Sequence, residues 1–191
     1  MVSAYFYNDL DTTDGRNPHQ YTPNRPVSLD QLAALGVLHW HLDVKSEGYM
    51  DVVEGICVER AYKNRDEITI SREKLPNYEE KLKTFFTEHI HEDEEIRFIL
   101  EGSGYFDIRA PNDAWIRIKC EQGDMIILPA GMYHRFTLDT TNYLKAMRLF
   151  KEDPKWTPLN RNPDTDANSY RTNYLNTVAY PASERFAAEV N

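Results

Sequence analysis

Alternating apolar and polar positions crowd the middle of the chain, from His89 to Phe150, and predict a succession of strands there. Gly102, Gly104, Pro111-Asn112-Asp113, Gly123 and Asp139-Thr140-Thr141-Asn142 cut that region into pieces of strand length. In Glu95-Ile96-Arg97-Phe98-Ile99-Leu100 the period of two puts Glu95 and Arg97 on one face and Ile96, Phe98 and Leu100 on the other. The apolar run Met125-Ile126-Ile127-Leu128, with turn residues at both ends, reads as a buried strand. Helical signals are fewer. Ser28-Leu29-Asp30-Gln31 has the form of a capping box for a short helix ending at Gly36, and Asn77 caps a second that carries Tyr78, Leu82, Phe85 and Phe86 on one stripe. Together these patterns predict a mainly β protein, an antiparallel jelly-roll barrel with a few short flanking helices. Residues 1–160 form one domain in this reading. Beyond it, 161–191 turn to Asn, Asp, Thr, Ser and Pro and read as a C-terminal surface tail, with Tyr170, Tyr174, Leu175, Val178 and Tyr180 able to anchor it.

Candidate chemistry sits inside the strand-rich region. On an extended strand His89 and His91 point the same way and can grip one ion as neighbours, while the acidic run Glu92-Asp93-Glu94 has the polarity of a hairpin turn. Glu95 then opens the next strand, and Pro129-Ala130-Gly131-Met132-Tyr133-His134 delivers another imidazole from a distant part of the chain. Three neutral histidines and one glutamate fill four positions around an intermediate divalent metal and leave an octahedral ion two for substrate or oxygen. A second pair, His39-Trp40-His41, lacks such company and reads as ordinary strand alternation.

The two blocks resemble the paired motifs of the cupin superfamily, with His89, His91 and Glu95 in the first and His134 in the second. Within that superfamily Leu75 to Lys81, Glu88 to Asp107, Trp115-Ile116-Arg117, Gly131 to Leu138 and Lys145 to Phe150 resemble the acireductone dioxygenases of methionine salvage. Leu35-Gly36-Val37-Leu38 and Glu59 to Asp66 are most like fungal members, and the likeness fades after Arg161. The resemblance implies one Fe2+ per chain on His89, His91, Glu95 and His134, with Ni2+ as the alternative ion. It implies an enediol substrate bearing a methylthio tail, which reacts with O2 to give formate and the 2-oxo acid that precedes methionine. Ni2+-loaded members give carbon monoxide, formate and a shorter methylthio acid instead. Arg97 and Arg148 match family arginines that neutralise and orient the substrate, and their planar forks suit adjacent enolate oxygens. Phe85, Phe136 and Trp156 are the candidates for the methylthio pocket. Two other readings share the ligand set: a cupin dioxygenase with a different substrate, and a metal- or ligand-binding cupin without catalysis.

Composition narrows the partners. A net charge of -9 over 191 residues, with no basic block, argues against nucleic acid and anionic membranes; the partners that the resemblance implies are the acireductone and O2, and the chain is expected to be a monomer. Its anion must therefore be recognised locally. An apolar content of 41% supports a single core. Two cysteines, and a start without a basic region or long apolar run, make the cytoplasm the expected location, with the nucleus also open to so small a protein.

Overall fold

The protein is described here by a computed structural model covering residues 2–152 and 157–179. One strand organises everything else. β6 (Glu95–Arg109) pairs along its first half with β8 (Asp124–Leu128) and β10 (Leu144–Phe150), and along its second half with β7 (Trp115–Glu121) and β9 (His134–Leu138). Two antiparallel sheets thus share it. The first runs from β11 (Leu159–Asn160) and β5 (His89–Ile90) through β9, β6 and β7 to β1 (Ser3–Phe6) and β2 (Pro26–Val27). In the second, β8 carries β3 (Leu38–His41) and β10 carries β4 (Asn64–Ile70).

The glycines expected to end strands at 102 and 104 instead lie within this one long strand. Gly102 has φ +76, and a Cβ there would meet the Tyr143 carbonyl oxygen at 2.2 Å. Only glycine lets the strand turn this corner and change sheets unbroken.

Alternation along the shared strands builds two cores. Ile99, Phe106, Ile126, Leu128, Phe136 and Ala146 face one, which also takes Leu32 and Leu35. Ile96, Phe98, Met125, Ile127, Met147 and Leu149 face the other, beneath Val53, Ile56 and Cys57 of α2 (Tyr49–Arg60). The run at 125–128 is apolar throughout because each of its faces meets a different core. Sequence reading missed α2. Val52 and Val58 stand exposed on its outer side and blur the stripe that Val53, Ile56 and Cys57 would otherwise draw.

The capping box at Ser28 forms: its hydroxyl accepts from the Gln31 N–H, and the Gln31 side chain accepts from the Ser28 N–H, opening α1 (Leu29–Ala34). α3 (Tyr78–Phe86) starts differently. Asn77 is left-handed at φ 55 and its side chain makes no capping bond, so it sets a backbone turn, which asparagine tolerates, in place of the expected cap. The segment after Asn160 is more ordered than its composition suggests. It forms α4 (Pro163–Asp166), α5 (Ser169–Tyr174) and a π-helical turn Leu175–Ala179, and Tyr174 is buried with its hydroxyl donating to the Leu35 carbonyl. Leu175 and Val178 pack on the same core, Tyr170 is exposed, and Tyr180 lies outside the described residues.

A buried ion triad ties three strands of the first sheet together. Asp107 of β6 faces Arg117 of β7 and Arg135 of β9 across the ladders. Its carboxylate accepts two hydrogen bonds from Arg117, at 2.7 and 2.9 Å, and one from Arg135 at 2.8 Å. Asp107 and Arg117 are fully buried, and Arg117 spends a further nitrogen on the Gly15 and Asn17 carbonyls, fastening the N-terminal loop.

Candidate metal centre

His89 opens the short strand β5, His134 opens β9, and the two residues are direct partners across the ladder. His91 lies one step past β5, and Glu95 is the first residue of β6. Strand ends and one tight loop therefore bring four donors from three places in the sequence to one spot. Ring centroids lie 4.9 Å apart for His89 and His91, 4.5 Å for His89 and His134, and 5.3 Å for His91 and His134. One ring nitrogen from each falls within 4.8 Å of the others. A single Glu95 oxygen, Oε2, lies 3.1 Å from His91 Nε2, 3.5 Å from His134 Nε2 and 3.3 Å from the Arg97 guanidinium.

Protonation is decided by the backbone. His89 Nδ1 contacts the Thr87 carbonyl at 2.6 Å and His134 Nδ1 the Met132 carbonyl at 2.9 Å. A carbonyl only accepts, so each Nδ1 carries the hydrogen and each neutral ring keeps the Nε2 lone pair for a ligand. His134 Nε2 and His91 Nδ1 are buried with no hydrogen-bond partner, a costly state for polar atoms that a bound cation would relieve at the Nε2 lone pair. Burial, reinforced by His134, lowers the His89 pKa from its ordinary 6.5 to about 3. For Glu95 burial works upward, but the Arg97 charge beside it outweighs burial and holds the carboxyl well below its ordinary range. Neutral imidazoles beside an anionic carboxylate are what a divalent ion requires, and these residues fit one.

The depressed His89 pKa carries a sign. Between 6.5 and about 3 the unfolded chain binds a proton that the folded one refuses, so the group's contribution is present above 6.5 and is lost as pH falls. Metal-free protein is expected to lose stability at up to about 1.4 kcal/mol per pH unit from this residue. Urea unfolding at pH 7 and 5.5 checks it: His89→Gln should flatten the slope, and an unchanged slope would refute the assignment.

Both arginines line the same cavity as the histidines. Its volume is about 780 Å³. Arg97 and Arg148 are direct cross-strand partners on β6 and β10. Arg97 donates to the Ile96 carbonyl at 2.9 Å, whereas Arg148 grips Asp66 of β4 through two 2.7 Å hydrogen bonds. Phe85 and Phe136 are in the wall too, edge to face at 6.3 Å, and Trp156 lies outside the described residues. Ile99, Phe106, Leu144 and Ala146 belong to an apolar lining that sequence reading did not name. Parity could have supplied two of them, since Ile99 continues the Glu95 and Arg97 face and Ala146 shares that of Arg148.

The other histidine pair has a structural partner. His39 and His41 both hydrogen-bond the buried Asp124 carboxylate, at 3.2 and 2.8 Å. The C-terminal segment, by contrast, reaches the centre. Asn160 pairs with His89, Asn168 donates to Glu92 at 2.9 Å, and Arg171 holds the Gly131 carbonyl while the Gly131 N–H bonds that of His91.

A jelly-roll barrel with three histidines and a glutamate turned inward defines a metal-dependent enzyme of cupin type. The chain belongs to the ARD/ARD' family, whose model matches residues 3–158. It is 53% identical over 178 residues to an acireductone dioxygenase of Aspergillus fumigatus, covering 93% of this chain and 97% of that one. With the acireductone dioxygenase of Rattus norvegicus it shares 58% identity over 164 residues, 86% of this chain and 91% of that one. The fold matches a solved acireductone dioxygenase from Bacillus anthracis that carries a cadmium ion in its active centre, with TM-score 0.67 at 23% identity over 83% of this chain and 98% of the other.

Proposed function

We propose that the chain is an acireductone dioxygenase that takes Fe2+ on His89, His91, Glu95 and His134 and converts its enediol substrate and O2 to formate and a methylthio 2-oxo acid. The observation that carries this reading is the convergence of the three imidazoles and the Glu95 carboxylate in a cavity shared with two arginines and an apolar wall. A bound divalent ion supplies Lewis acidity and a template for the reaction.

The chain's own residues do the rest. The Thr87 and Met132 carbonyls keep the protons of His89 and His134 on Nδ1, away from the centre. Glu95 supplies the one anionic donor. Arg97, its cation beside Glu95, meets the charge of the enediolate and fixes its oxygens with a planar fork, and Arg148, braced by Asp66, adds a second cation across the ladder. Phe85, Phe136, Ile99 and Leu144 receive the methylthio tail and keep water from the reacting carbons. For Fe2+ against Ni2+, affinity at a nitrogen and oxygen site rises toward Ni2+, so supply in the cell decides which is carried.

Reloading metal-free protein with either ion and identifying the products tests the reading. Fe2+ should give formate and the 2-oxo acid, and Ni2+ carbon monoxide. A filled site without turnover of acireductone would overturn the assigned substrate. Arg97→Lys keeps the charge and loses the fork. It is expected to retain metal and lower turnover about 10- to 100-fold, the worth of one hydrogen bond to a charged group. Unchanged turnover would remove Arg97 from the substrate.

A further inference from the structure

The loop between His91 and Glu95 supplies two of the four donors, yet its composition is that of a solvated acidic turn. Glu94 does not behave as a turn residue. Its side chain is 15% exposed, and a carboxylate so far from water is stable only when paired. Its partners come from two elements outside the sequence neighbourhood. Arg60, the last residue of α2, donates to Oε1. The Tyr62 hydroxyl donates to Oε2 at 2.6 Å, and Lys151, just past β10, stands 3.3 Å from the same oxygen. The donors are ordered among themselves, since Arg60 Nε donates to the Tyr62 oxygen at 2.9 Å. Tyr62 is itself rooted in the α2 core, and left-handed Ala61 (φ 59) turns the chain so that Arg60 and Tyr62 present to one carboxylate.

We propose that Glu94 is a positioning residue for the metal centre: clamped to α2 and to the end of β10, it fixes the backbone from which Glu95 and His91 reach the ion. This rests on the metal-site reading above. Glu94 lies in the cavity wall, but both its oxygens already accept from these donors, so it holds the loop and does not handle the substrate's protons. Its charge is also balanced separately. Arg60 and Lys151 answer Glu94 on one side while Arg97 answers Glu95 on the other, which lets two consecutive carboxylates stay ionised. Residues that orient metal ligands from outside the coordination sphere commonly govern affinity or activity by about 10- to 100-fold.

The test is the rate at which Fe2+-loaded protein gives up its ion to an excess of chelator, measured beside thermal unfolding and steady-state kinetics. Glu94→Gln is expected to release metal about tenfold faster and to lower kcat with little change in KM. Tyr62→Phe, which removes one donor and keeps the ring in the core, should fall between it and the unchanged protein. Asp124→Asn is the control: it cuts a buried carboxylate network away from the site and should lower Tm with metal release unaltered. Release at the unchanged rate in both Glu94→Gln and Tyr62→Phe, with only Tm reduced, would make Glu94 a structural residue and overturn the proposal. If Glu94→Gln does not fold, Tyr62→Phe and Lys151→Met carry the same comparison. Failure of the unaltered protein to bind one ion per chain would instead remove the metal reading on which the proposal rests.

Discussion

Glu95→Ala is expected to empty the metal centre and abolish oxygen-dependent turnover. The carboxylate is the only anion among the four donors, and its Oε2 stands between two histidines and the Arg97 guanidinium. Without it a dication would share the site with three neutral rings and an uncompensated arginine. A pair of unit charges 4 Å apart interacts by about 4 kcal/mol at an effective dielectric constant of 20, so the substitution removes one attraction and unmasks one repulsion, each of about that order. Metal retention should fall more than about 100-fold, read by metal analysis after gel filtration. Full retention would sink the ligand assignment.

The largest effect on stability is expected from Asp107→Ala. The substitution leaves Arg117 fully buried with its charge unanswered and strips Arg135, the neighbour of His134, of its ion pair. Breaking a buried pair from one side costs about 3–5 kcal/mol, a large share of the roughly 5–15 kcal/mol that holds a domain folded. At about 2–4 °C per kcal/mol, Tm should drop by roughly 10 °C. Replacing the whole triad with apolar residues of similar volume should cost far less, because no charge is stranded. Calorimetry of the two variants separates a stranded charge from lost packing: equal losses would mean that the ion pairs themselves contribute little.

What could be read in the sequence was local. The ligand set declared itself because a period of two places His89 beside His91, and the inward face at Glu95 and Arg97 follows from the same alternation. The capping box at Ser28 was legible for the same reason. Other features depend on partners far along the chain. Glu94 looks like any acidic turn residue until Arg60 and Tyr62, 34 and 32 residues away, close on it. Glycines at 102 and 104 signal strand ends locally, and only the crossing of two sheets turns them into a bend within one strand. The helix at Tyr49–Arg60 was hidden by valines on its outer side, and the C-terminal segment by polar residues whose role is capping, as Asn162 and Asn168 show by accepting from the first turns of α4 and α5.

The central claim is that His89, His91, Glu95 and His134 form a single centre on which acireductone is oxidised. Its most direct test is oxygen uptake with synthetic acireductone as metal-free protein is titrated anaerobically with Fe2+. Uptake should rise in proportion to added ion and level off at one per chain, with formate formed in step. A plateau at two ions, or uptake that ignores the metal, would contradict the account.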